Sequence, residues 1–394
     1  MRPTAVLLSL ALTAPLAAQA PAVSAPLGTL RDQAALQQSW LAQRLETVLP
    51  AVMRRYAVDM WVVAMREYNE DPVFRALVSP TTFAARRRTI YVFFDRGPER
   101  GVERLALGGT SQGGLYEVVR ETELAPDGRP RELWGPAQWR LFGRVVRERN
   151  PRRIAVDISR DINFADGLSA GEWEQMQDAL GPELVTRVVC EDRLAIDYLA
   201  TRVPAMLPTY RRLQQIAHEI IRTAFSTAVI TPGVTTTDDV VWWMRQRLLD
   251  LGLGTWFQPD VDVQRRGVDM SDSTAPVIQR GDVLHCDFGI TALGLNTDTQ
   301  HMGYVLRDGE LEPPPGLRQA LINSNRLQDI VLAAAKAGLT GNQVLTDALA
   351  RMRDAGIDGT IYSHPVGDHG HAAGPLIGLW DRQDGVPGQG NLPV

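Results

Sequence analysis

The chain has 394 residues, 44% of them hydrophobic, a formal net charge of −5 and only two cysteines. That length and apolar fraction predict two domains with sizeable cores. A slightly acidic chain whose arginine clusters, Arg54-Arg55 and Arg86-Arg87-Arg88, are interrupted and balanced by acids excludes a nucleic-acid-binding class, and those arginines read as solvated faces.

Residues 1–25 open with Arg2, run apolar from Ala5 to Ala18 and end in small residues, the pattern of a secretory signal. The run is too short to span a bilayer and contains Pro15, and no later stretch is long and apolar enough to do so. The expectation is an exported protein, periplasmic or secreted, without a membrane span.

From residue 27 to 202 helix and strand patterns alternate. Apolar positions at helical spacing predict a long helix over Leu30–Tyr56, and β-prone runs predict strands at Asp59–Met65, Thr89–Phe94, Arg104–Leu107 and Arg153–Ile158. Helices are predicted over Pro136–Arg149 and Ser169–Leu180, so this half is an α/β module. It carries no Gly-x-x-x-x-Gly-Lys and no Gly-x-Gly-x-x-Gly, so no nucleotide-binding loop is expected. Cys190 and Cys286 both lie in β-prone apolar runs and read as two buried thiols.

Pro204 and Pro208 mark a boundary that should interrupt any helix. Beyond it come an amphipathic helix over Thr209–Ser226 and a second helix capped at Thr236-Thr237-Asp238-Asp239 and stopped at Gly252–Gly254. A strand over Trp256–Gln264 and a polar loop lead to a hairpin: Val283–Phe288, a loop over Gly289–Gly294, and a return strand over Leu295–Val305. Helices follow over Pro313–Ala337 and Asn342–Ala355. The order fits two related units of two helices plus a hairpin, the second cut short.

Asp287 and Asp298 fall on the two hairpin strands and are expected to face each other across the ladder. Two carboxylates that close repel unless a cation or shared proton offsets their charge, which points to a metal. Downstream, Tyr362–Pro375 holds three of the chain's six histidines, His364, His369 and His371, among glycines. Imidazole and carboxylate donors suit Mn, Zn, Co or Fe.

The Asp287-Phe288-Gly289 and Asp298-Thr299-Gln300 elements, with Gly370-His371-Ala372-Ala373-Gly374, resemble the signature of the pita-bread metallopeptidases: aminopeptidase P, prolidase, methionine aminopeptidase and the metal-free creatinases. The resemblance covers most of residues 205–394. It implies a creatinase-like N-terminal α/β domain, residues 27–202, that serves dimerisation and walls the substrate pocket, followed by a pita-bread domain, residues 205–394. The implied fold class is thus α/β and α+β, and the implied assembly a homodimer. In that family two Asp, one His and two Glu hold two divalent ions. Carried over, Asp287, Asp298 and His371 would be metal ligands, and His364 and His369 would contact substrate or the tetrahedral intermediate. A competing alignment treats His364-Pro-Val-Gly-Asp-His369 as His-x-x-Gly-His with one inserted residue, making His369 the ligand; the flanking glycines favour His371.

The chain also departs from the family. No glutamate follows His371, where both Glu ligands would lie; the only acids there are Asp381 and Asp384. The ending Gly-Gln-Gly-Asn-Leu-Pro-Val resembles neither a helix nor a capped strand, so the pita-bread domain is expected to be truncated. Gln300 stands where many members have Arg, and no histidine occurs between His218 and His285, where the peptidases place a substrate-contacting one. The implied activity is metal-assisted hydrolysis of a peptide bond next to proline in short peptides. The alternatives are an inactive pita-bread peptide-binding protein and a creatinase-like hydrolase of C–N bonds that works without metal.

Overall fold

A computed structural model describes residues 25–120, 128, 135–271, 273–372 and 374–394. The expected signal sequence lies almost wholly outside the described residues.

Helix α1 (Leu30–Arg55) starts at a capping box in which Thr29 and Asp32 satisfy each other's backbone N–H. It leads into a six-stranded sheet of β1 (Met60–Arg66), β2 (Arg88–Asp95), β3 (Val102–Leu107), β4 (Glu117–Val119), β5 (Ile154–Val156) and β6 (Val188–Cys190), in the order β4-β3-β2-β1-β5-β6. Strand β1 pairs antiparallel with β2 and parallel with β5. Its sequence Met-Trp-Val-Val-Ala-Met is apolar throughout because both faces are covered. Trp61, Val63 and Met65 join one core with residues of α1, and Met60, Val62 and Ala64 join another with α3 (Pro136–Arg149) and α4 (Ala170–Val185). A one-turn helix α2 (Phe74–Leu77) lies between β1 and β2, and α5 (Asp192–Ala200) follows β6.

Three expectations are corrected here. Cys190 is exposed, because it ends β6 at the edge of the sheet; Cys286 alone is buried, and both thiols are free. Arg88 is not a solvated residue: it is buried and forms a two-pronged bond to the buried Glu172 carboxylate, at 2.7 and 3.0 Å, across one face of the sheet. Pro208 does not interrupt a helix but sits in the first turn of α6 (Leu207–Ala224), where a missing N–H costs nothing.

Helix α7 (Thr237–Asp250) starts at the expected box between Thr236 and Asp239. Helices α6 and α7 back a three-stranded antiparallel sheet, β11-β8-β7, formed by β7 (Asp260–Gln264), β8 (Val283–Phe288) and β11 (Thr299–Tyr304). Alternation decides which side chains meet which solvent. Val261, Val263, Leu284, Cys286 and Phe288 enter the core shared with α6 and α7, so Asp287 and His285 emerge on the opposite face. The predicted return strand is broken: β9 (Thr291–Ala292) and β10 (Leu295–Asn296) form a small hairpin of their own before β11 begins. Asp282, just before β8, is 1% exposed and accepts two bonds of 2.8 Å from Arg265.

Helices α8 (Pro315–Ala334) and α9 (Gly341–Asp354) pack on each other and precede a two-residue hairpin, β12 (Val366–Gly367) with β13 (Gly370–His371). No helix among the described residues is long and apolar enough to cross a membrane.

Candidate metal centre

Asp287 lies opposite Gln300 in the β8–β11 ladder and opposite Asp260 in the β8–β7 ladder. Asp298 is therefore not its cross-strand partner. The β9–β10 hairpin consumes the residues that would have continued the ladder, and Asp298 falls just before β11. It reaches Asp287 diagonally, because residues 298 and 300 lie two apart and share a side of the extended chain. Gln300 donates to Asp287 Oδ2 at 3.2 Å and contacts His285 Nε2 through its own oxygen, also at 3.2 Å.

Two histidines from the far end of the chain close the group. His364 Nε2 stands 3.1 Å from Asp298 Oδ2, and the His364 and His371 rings meet edge to face with centroids 4.1 Å apart. One donor atom from each of Asp298, His364 and His371 lies within 4.8 Å of the others. His364, expected to touch substrate, is thus placed inside the donor group itself. His369 is not brought there. Its Nε2 is 2.8 Å from the Pro72 carbonyl and its ring stacks on Phe164 at 5.3 Å, so it joins the 364–371 segment to the N-terminal half. Asp381 and Asp384 are exposed and outside the group.

The electrostatics follow from this arrangement. Burial, and then the neighbouring Asp298 charge, push the Asp287 carboxyl up to about 6. Burial would also raise Asp298, but the His364 hydrogen bond and charge outweigh it and hold Asp298 below the usual carboxylate range. The same bond raises His364, whereas burial and the nearby His364 lower His371. Asp287 Oδ1 is buried with no hydrogen-bond donor among the described residues. An acceptor-only oxygen left bare beside a second carboxylate and two imidazoles is the environment a divalent cation satisfies, so the residues present fit one such ion.

Sequence reasoning missed Trp256, which it placed at the start of a strand. Its indole N–H donates to the Thr297 carbonyl at 2.9 Å, which fixes the backbone next to Asp298, and its ring packs on His371 at 5.1 Å. Gly370 has φ +93°, and a Cβ there would lie 2.1 Å from the Trp256 ring. Gly370→Ala should therefore cost at least about 2 kcal/mol, from left-handed strain plus the clash, and displace His371. A thermal midpoint equal to that of the unaltered protein would show that Trp256 yields freely.

Residues 209–389 match metallopeptidase family M24. This stretch of the chain is a domain of that family. Similar solved structures carry the same pita-bread fold with its N-terminal α/β part. The X-Pro aminopeptidase of Thermotoga maritima superposes with TM-score 0.57 at 17% identity, covering 86% of this chain and 88% of that one. A putative aminopeptidase P of Bacillus anthracis gives 0.53 at 10% identity, covering 91% and 85%, and a dipeptidase of Pyrococcus horikoshii 0.52 at 14%, covering 85% of each. Identities this low establish the fold alone. No curated protein matches the chain in sequence. Enzymes of family M24 are hydrolytic peptidases that use divalent metal ions, and the cluster around Asp298 lies within the matched residues.

Proposed function

We propose that this protein is an exported metallopeptidase of the aminopeptidase P or prolidase type that cleaves a bond next to proline in short peptides and works as a homodimer. The observation that carries this reading is the convergence of Asp298, His364 and His371 beside the bare Asp287 oxygen. When bound, a divalent ion supplies Lewis acidity, which makes water nucleophilic near neutral pH and polarises a carbonyl. Asp287, Asp298 and His371 are the residues that would hold it, with His364 within reach as a fourth donor. A second ion would need further carboxylates, which the described cluster does not contain.

The chain's own groups divide the remaining work. His364 Nε2 bonds the Asp298 carboxylate at 3.1 Å and fixes the direction in which that carboxylate points. Asp287 takes up a proton more readily than an ordinary aspartate and holds Gln300 at its outer oxygen. Trp256 packs beside His371 and restricts water on that side.

The test is a hydrolysis assay on Ala-Pro and Ala-Ala with added Mn, Co or Zn. Cleavage confined to the proline peptide, abolished by chelator and by Asp298→Ala, is expected. Tight metal binding without turnover would favour the inactive peptide-binding alternative. Turnover that survives both chelation and Asp298→Ala would favour the metal-free hydrolase.

A further inference from the structure

The face of the β11-β8-β7 sheet that carries Asp287 is polar on every strand. Cross-strand pairing sets Asp260 and Asp262 of β7 opposite Asp287 and His285 of β8, and Gln300 of β11 opposite Asp287. Directly paired residues share a face, so these side chains stand together beside the metal centre.

Gln300 bridges two of them. Its Nε2 donates to Asp287 Oδ2 at 3.2 Å, and its Oε1 stands 3.2 Å from His285 Nε2. A carboxylate can only accept, so the amide nitrogen faces Asp287 and the amide oxygen faces the imidazole. His285 must then carry a proton on Nε2. On the far side of the ring Asp262 Oδ2 lies 3.7 Å from His285 Nδ1. Donation therefore runs in one direction, from His285 to Gln300 to Asp287. Gln300 is exposed, and without a partner at its oxygen its side chain would sample several rotamers, so His285 is what holds the amide against Asp287.

This line separates the two oxygens of Asp287. Oδ1 is buried with no donor among the described residues, whereas Oδ2 is taken by the amide N–H. A pair of divalent ions about 3.5–4 Å apart is held by carboxylates that offer an oxygen to each. Here the positive end of an amide dipole stands where a second ion would meet Asp287.

We propose that His285 and Gln300 form a brace that keeps Asp287 a one-oxygen ligand and limits the centre to a single divalent ion. Both are positioning residues, since they act on the ion through Asp287. The inference rests on the metallopeptidase reading and goes beyond it by assigning the number of ions to residues outside the donor group. A carboxylate at position 300 would lift the limit, because it would add a donor beside Asp287 Oδ2 and His285 Nε2.

The test is isothermal titration of the full chain with Co(II), with bound metal counted after gel filtration. The unaltered protein should bind one equivalent and Asp298→Ala none. Gln300→Glu should bind two, and adding His285→Ala to it should return the count to one. Alone, His285→Ala should weaken the single ion about tenfold, the loss expected for an outer-shell partner. His285→Gln, whose amide can donate to Gln300 Oε1, should recover most of that loss, which a residue needed only for packing would not show. Gln300 is exposed and His285 only partly buried, so these variants should keep the thermal midpoint of the unaltered protein. Two equivalents on the unaltered protein would overturn the brace and leave the metallopeptidase reading standing. No ion, or an ion that survives Asp298→Ala, would overturn both. A single equivalent on Gln300→Glu, or equal losses for His285→Ala and His285→Gln, would overturn the brace alone.

Discussion

Replacing His371 by alanine should lower the affinity for Mn, Co or Zn by at least about 100-fold, whereas His369→Ala should leave it within about threefold of the unaltered protein. Loss of an outer-shell partner alone typically costs 10–100-fold in metal affinity, so loss of a donor should cost no less. His371 shares the donor group with Asp298 and His364, while His369 is occupied by the Pro72 carbonyl and the Phe164 ring. His369→Ala should instead lower the thermal midpoint by loosening the 364–371 segment from the N-terminal half. His364→Ala is the informative third variant. If His364 is a donor, metal content falls as it does for His371→Ala; if it acts only on Asp298, metal is retained and the pH profile of hydrolysis shifts. Metal analysis of the three purified variants decides among these. A larger loss for His369→Ala than for His371→Ala would mean that the alignment with one inserted residue is the right one.

The parts of this site that are legible in the sequence are those with local signals. Thr236 and Asp239 announce a helix start within four residues, and β8 announces itself by alternation, so both elements are legible in the sequence. The spacing of Asp287 and Asp298 signals the pair, but not that they meet diagonally rather than directly across the ladder. The β9–β10 hairpin depends on Tyr210 donating to the Asn296 carbonyl, on the Asn296 side chain donating to the Gly367 carbonyl, and on Trp256 donating to that of Thr297. These partners are far apart in the chain and leave no periodic trace. Arg88 looked like part of a solvated run because only the fold supplies Glu172. His364 could have been suspected as a donor from its nearness to His371, but the alternation of a two-residue hairpin is too short to assign faces.

Asp157→Asn should make the protein more stable above neutral pH and flatten its stability profile. Asp71 and Asp157 are 2% and 3% exposed in the N-terminal half. Asp71 Oδ1 accepts from the Val73 N–H at 2.9 Å and Asp157 Oδ1 from the Trp61 indole at 2.8 Å, while the Oδ2 of each is buried without a donor among the described residues, next to the opposing carboxyl group. One shared proton satisfies both; two bare carboxylates would repel in a dry interior. Burial, helped by the Asp166 charge and opposed by the Val73 N–H and Asp157 bonds, pushes Asp71 up to about 7, and burial followed by the Asp71 charge pushes Asp157 well above its usual range. With folded values above unfolded ones, the folded chain binds more protons than the unfolded chain between about pH 4 and 7. Stability therefore falls as pH rises through that window. It levels off only above the folded values. At roughly 1.4 kcal/mol per pK unit the Asp71 shift alone sets an upper bound near 4 kcal/mol, shared across the pair. An asparagine at 157 keeps the acceptor for Trp61 and offers Asp71 an amide donor, so Asp71 can ionise at much lower cost. Thermal midpoints at pH 5 and pH 8 should thus differ less in the variant than in the unaltered protein, with the gain at pH 8. A variant that keeps the full pH slope would mean that the slope comes from other groups, the metal-site carboxylates first among them, and that Asp71 and Asp157 share no proton.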